Sequence, residues 1–258
     1  MKISDRRSAD PSGSSSPVLA EMSLMEHLEE LRNRLLKVVV AYALCCGIAW
    51  FFYSNILAVL IAPLARLPVA DQILQGGQLI YTAPTEAFVI RLKVTAFAGM
   101  VLALPVMMWQ LWRFVTPGLH ANERKYALPF VFVSVFLFAL GVGVAFLSLP
   151  KALEVLAGFA GSELVLVPRA ADYLSFVLIL IAAFGFSFEF PIILLGLTLV
   201  GVLSSRKLRD LRKIAWVIIL ILAAIITPTQ DPITLMIMAL PLGLLYEATI
   251  VVARIMKR

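Results

Sequence analysis

Long apolar runs separated by short polar breaks make up most of this chain. The runs fall at residues 35–53, 87–112, 126–149, 173–203, 215–226 and 233–253. Most reach the roughly 20 apolar residues that a helix needs to cross a bilayer. The pattern predicts six transmembrane helices and an all-α integral membrane protein. The run at 215–226 is the exception: as a helix it spans only about 18 Å, against a hydrocarbon core of about 30 Å. Either the bilayer thins around it or the segment is re-entrant.

The polar breaks are patterned as well. Leu24, Leu28, Leu31 and Leu35 recur at helical spacing among the acids Glu26, Glu29 and Glu30, which predicts an amphipathic helix leading into the first span. Ser23 and Glu26 match a capping box at its start. Between the first two spans, residues 54–86 are punctuated by Pro63, Pro68, Gly76, Gly77 and Pro84, so short turns and helices are expected there. Within the spans, Pro105 and Pro191 are expected to bend or interrupt their helices, and Gly141 and Gly143 to permit close helix approach.

Composition agrees with the pattern, at 61% hydrophobic and 15% charged residues. Charge then orients the bundle, because cytoplasmic loops collect Lys and Arg near span ends. With six spans, one side receives most of the 22 Lys and Arg, in clusters at residues 2–37, 113–125, 206–213 and 254–258. The other side receives Arg66, Arg91, Lys93, Lys151 and Arg169. The expected topology places both termini in the cytoplasm. Residues 1–22, rich in Ser, Pro and charge, are expected to form a disordered cytoplasmic tail, leaving 23–256 as the transmembrane domain. Arg6 and Arg7 are not followed by the apolar region and cleavage site of an export signal. The physiological start is open between Met1, Met22 and Met25.

Candidate chemistry centres on Glu189, about seventeen residues from Asp172 on one side and from Arg206 on the other. That places a carboxyl group near the middle of a span, where an ionisable residue needs a partner, a cavity or water and is a functional candidate by default. Enzymatic chemistry finds little support. His27 and His120 lie at span borders, Cys45 and Cys46 are adjacent in one span, and no nucleotide loop, zincin motif or nucleophile elbow occurs. No enzyme activity, metal, cofactor or nucleic-acid partner is expected. Three readings remain for Glu189: a binding site for another membrane segment, a structural pairing with another helix of its own chain, or the ion site of a proton- or cation-coupled secondary transporter, although no inverted repeat is visible.

Six strings, in order, resemble the TatC family, the polytopic receptor subunit of the twin-arginine (Tat) protein-export pathway. They are His27-Leu-Glu-Glu-Leu-Arg-Asn-Arg34, Ala62-Pro-Leu64, Pro117-Gly-Leu-His-Ala-Asn-Glu-Arg-Lys125, Tyr173-Leu-Ser-Phe176, Phe184-Gly-Phe-Ser-Phe-Glu-Phe-Pro191 and Thr227-Pro-Thr-Gln-Asp-Pro232. The resemblance implies a concave six-helix bundle with both termini inside and a short hairpin of the fifth and sixth helices. It implies that Glu30 and Glu123, with Arg32 and Arg34 beside the first, bind the paired arginines of signal peptides. Glu189 resembles the acid of the family's membrane-facing groove, in contact with the single-span partners TatA and TatB. The end of the fifth span, Ile225, Ile226, Thr227 and Pro228, resembles the docking surface for TatB or a TatA-like subunit. Pro63 and Asp231 match outer-side loop positions. The further implied partners are precursor proteins, other TatC copies and membrane lipids. The implied location is a bacterial or archaeal cytoplasmic (inner) membrane, with transport driven by the proton-motive force. One departure is the sequence Asn122-Glu-Arg-Lys125, where many members carry His-Glu-Arg-Arg; Glu123 is retained.

Overall fold

A computed structural model describes residues 24–66, 79–115, 127–158, 169–226 and 232–255. These form helices α1 (Leu24–Phe51), α2 (Tyr53–Ile61), α3 (Glu86–Val115), α4 (Ala127–Gly158), α5 (Ala170–Phe188), α6 (Phe190–Leu199), α7 (Ser205–Asp210), α8 (Arg212–Ile226) and α9 (Pro232–Ile255), with a 3-10 turn at Leu64–Arg66. Among the described residues the sole β pairing is an isolated bridge between Ile80 and Arg169. Among the described residues, five stretches are long and apolar enough to cross a membrane: Leu28–Phe51, Glu86–Phe114, Leu128–Leu156, Ala170–Leu199 and Leu235–Ile255. The fifth predicted span corresponds to α8, a helix of 15 residues. The outward faces are as apolar as the core, with Phe51, Leu147, Ile225 and Leu244 all at least 70% exposed. Such surfaces suit lipid and not water.

Several boundaries differ from the sequence expectation. The amphipathic segment and the first span form one continuous helix of 28 residues, because nothing between Leu24 and Phe51 breaks the backbone pattern. α4 runs on through Pro150 to Gly158, past the expected end at residue 149. Pro105 lies inside α3 without interrupting it. Pro191 does coincide with an interruption. Lacking an N–H it cannot continue the ladder, and the run at 173–203 divides into α5 and α6 at Glu189. Two residues after the end of α6, Gly201 has φ of 82°, a left-handed conformation that suits glycine at a helix end.

Small residues let the helices meet closely, as packing in lipid requires. α1 lies against α3 where a Cβ on Gly99 would stand 2.8 Å from the Cys46 backbone nitrogen. α4 meets α5 where a Cβ on Gly141 would stand 2.7 Å from the Phe184 carbonyl oxygen. Gly143, expected to serve the same purpose, faces open space instead. Phe138, Leu149, Val177, Phe184 and Phe188 fill the core between these helices.

Polar ties fasten both ends of the bundle. At one end Tyr173 donates its hydroxyl to the Leu60 carbonyl at 2.9 Å, and the Ala170 N–H reaches the Ile80 carbonyl at 2.8 Å. At the other, Tyr246 donates to the Leu208 carbonyl at 2.7 Å and Arg212 pairs with Glu247 at 2.8 Å, closing α7 and α8 onto α9.

Candidate receptor face and intramembrane carboxylate

Glu30 stands on the second turn of α1, on the half-buried side of the amphipathic stretch. Its helical spacing from Arg34, four residues on, brings the two side chains together, and Arg34 donates to Glu30 Oε1. Their side chains are 22% and 14% exposed. Glu30 Oε2 and Arg34 Nε are both buried with no partner among the described residues. The pair is therefore a one-point contact, and each member keeps unused hydrogen-bonding capacity. Arg32 points elsewhere, toward Glu29 at 3.5 Å, on a solvent-exposed side. Glu123 lies outside the described residues.

Glu189 occupies the break between α5 and α6. Its backbone carbonyl caps the next helix, accepting from the N–H groups of Ile192 and Ile193 at 3.1 and 3.2 Å. The side chain is 4% exposed and packs toward α4, where Ser134 donates its hydroxyl to Oε2. Oε1 has no partner among the described residues. The carboxyl group is thus enclosed between helices of its own chain. Glu30 and Glu189 belong to separate places, the first turns of α1 and the α5/α6 break against α4.

On α8, Ile225 is 74% exposed and Ile226 half-buried, so the end of that helix presents bare apolar surface. Thr227, Pro228 and Asp231 lie outside the described residues. Pro63 is buried in the turn between α2 and the 3-10 segment.

Sequence reasoning missed three polar arrangements. Ser134 was unremarked, although it is the hydroxyl in an apolar stretch that a buried acid would need. Glu86, the first residue of α3, gathers the N–H groups of Thr82, Ala83 and Ala171 at 2.8, 3.3 and 3.2 Å, and Arg169 at 3.4 Å. Its position just after a Pro-Thr turn was the available signal. Arg91 stacks on Trp50 and Tyr53, with its guanidinium carbon 4.3 and 5.1 Å from their ring centres. Its partners lie some forty residues away, so no local pattern discloses them.

The fold and these sites define a multi-pass, all-helical membrane protein with a carboxylate at one membrane border and another enclosed within the bundle. The family described as Sec-independent protein translocase protein (TatC) matches residues 26–241. The chain is 39% identical over 239 residues to the TatC protein of Frankia casuarinae, covering 90% of this chain and 66% of that protein. It is 40% identical to that of Magnetococcus marinus, covering 91% and 85%, and 37% identical to that of Aquifex aeolicus, covering 92% and 97%. A crystal structure of the twin arginine translocase receptor TatC in DDM superposes with a TM-score of 0.73 at 37% identity, covering 88% of this chain and 99% of that one. A second crystal structure of that receptor gives 0.71 at 38% identity, covering 90% and 100%. The chain belongs to the TatC family: it is a TatC-type subunit of a Sec-independent protein translocase. The secondary-transporter reading of Glu189 falls with that assignment.

Proposed function

We propose that this chain is the receptor and core subunit of its translocase. It binds twin-arginine signal peptides at the cytoplasmic face and recruits single-span TatA- and TatB-type subunits for the export of folded precursor proteins. The observation that supports this most is Glu30, half-buried near the start of the first apolar run, with one oxygen held by Arg34 and the other without a partner among the described residues. A guanidinium group makes planar, charge-assisted bonds with carboxylates in fixed geometry, which an ammonium does not match. Glu123 supplies the second carboxylate for a second arginine. The basic clusters mark the cytoplasmic side, so both termini lie inside, in a bacterial or archaeal cytoplasmic (inner) membrane. The bare apolar face of α8 at Val217, Ile221 and Ile225, with Thr227 and Pro228 beyond it, takes the span of a partner subunit. Other copies of the chain complete the assembly, and the proton-motive force drives transport.

The experiment is a binding measurement on the full chain in nanodiscs. A twin-arginine signal peptide is compared with the same peptide carrying two lysines, and the arginine form is expected to bind more tightly. Hydrogen bonds to charged groups contribute about 1.5–3 kcal/mol, so Glu30→Ala and Glu123→Ala should each weaken Kd by roughly tenfold to a hundredfold. Equal binding of the two peptides, or none of either, overturns the reading.

A further inference from the structure

α3 is longer than a bilayer core. Its 30 residues extend about 45 Å, against a core of about 30 Å. The charges on the helix show how the excess divides. Residues 94–112, between Lys93 and Arg113, carry no charge and extend about 28 Å. Aromatic residues gather near both limits, Trp50 and Tyr53 around Arg91 at one and Trp109 and Trp112 at the other, as at membrane interfaces. Lys93 therefore sits where hydrocarbon meets headgroups on the Glu86 side of the membrane.

From Lys93 an apolar groove of about 650 Å³ runs between α1, α3 and α5, lined by residues including Val38, Tyr42, Phe97, Leu178 and Ile179. Among the described residues of the lining, Lys93 is the charged one, and it is exposed. Its ammonium group donates to the Ser175 hydroxyl at 3.1 Å, across from α3 to α5. No described carboxylate lies within ion-pairing distance of it. Asp172, one turn before Ser175 on α5, is exposed and makes no described ion pair with it. The groove thus offers a hydrocarbon channel with, at its mouth, one hydroxyl and one cation that no described carboxylate neutralises.

We propose that this groove is a binding site for an anionic phospholipid of the leaflet on the Glu86 side, its phosphate on Lys93 and Ser175 and one acyl chain lying between α1 and α5. Charge selects the occupant. An apolar helix would fill the channel and leave the ammonium without a counter-ion, whereas an anionic lipid supplies both a chain and a charge at matching depth. The inference needs only that the chain crosses a membrane, and it stands apart from the proposed receptor function.

The test is lipid competition on the intact, delipidated chain in detergent, offered equal amounts of dioleoyl phosphatidylglycerol and dioleoyl phosphatidylcholine, with bound lipid counted by native mass spectrometry. One Lys near an anionic headgroup is worth about 1 kcal/mol, so the chain should retain about fivefold more of the anionic lipid. Lys93→Gln, which can still donate toward Ser175, should bring the ratio near one, and Lys93→Arg should preserve it. Lys151→Gln, a lysine outside the groove, should change nothing. Ile179→Trp, which fills the channel, should lower retention of both lipids, and thermal unfolding of each variant confirms that it is folded. Equal retention by the unaltered chain, a preference that survives in Lys93→Gln, or full retention in Ile179→Trp overturns the proposal.

Discussion

Glu189 shows what a single buried carboxyl group demands. One oxygen is satisfied by Ser134 and the other has no described partner, so the site rests on one hydroxyl. Ser134→Ala removes that donor and should destabilise the protein by about 1–3 kcal/mol, seen as a lower Tm in detergent. Adding Glu189→Leu should recover part of the loss, since an apolar pair needs no hydrogen bond; a double variant as unstable as the summed singles would show that the two side chains do not interact. Function separates from stability at this residue. Glu189→Gln keeps a side chain able to donate and accept hydrogen bonds, and should retain crosslinking to a TatA-type span and export in cells. Glu189→Leu should impair both while leaving signal-peptide binding near normal. Undiminished crosslinking and export in the Leu variant would assign the residue to packing alone.

At the scale of helices, contacts that depend on a missing side chain can be told apart from those that do not. Gly99 has the Cys46 backbone on its open side, and backbone cannot step aside without moving α1. Gly99→Ala should therefore cost about 1–3 kcal/mol by overpacking. Gly143 has nothing within 4 Å, so Gly143→Ala should fall within about 0.5 kcal/mol of the parent protein. Thermal unfolding of the two variants side by side checks the contrast, and equal effects would refute this account of the α1/α3 contact. The broken fourth span follows the same logic. Pro191 and Pro105 in the sequence both announced a bend or interruption, but α3 continues through Pro105, as α4 does through Pro150. The difference lies in the neighbours, because the enclosed acid at residue 189 comes with a carbonyl turned to cap α6, while Pro105 and Pro150 lie inside uninterrupted helices.

For the whole molecule, the placement of basic residues makes a topology that labelling can test. With Cys45 and Cys46 replaced by Ser, single cysteines introduced at Ala70 and Ser162 should react with an impermeant thiol reagent applied outside, while those at Ser205 and near Arg258 should not. Outside labelling at position 205 would invert the orientation. The sequence by itself determined which stretches form the apolar helices of a membrane protein. Each span has to satisfy its backbone internally and present apolar side chains to hydrocarbon, and both demands are local and visible as runs of residues. The motif residues that resemble TatC were legible for the same reason, being contiguous strings. Only the tertiary structure decided which faces meet: Ser134 beneath Glu189, Arg91 between Trp50 and Tyr53, and Lys93 at the mouth of a groove. In water the apolar face of a helix declares its own interior side, but in lipid the outside is as apolar as the core. No hydrophobic pattern then marks the buried face, and the choice falls to close packing and a few hydrogen bonds between residues far apart in the chain.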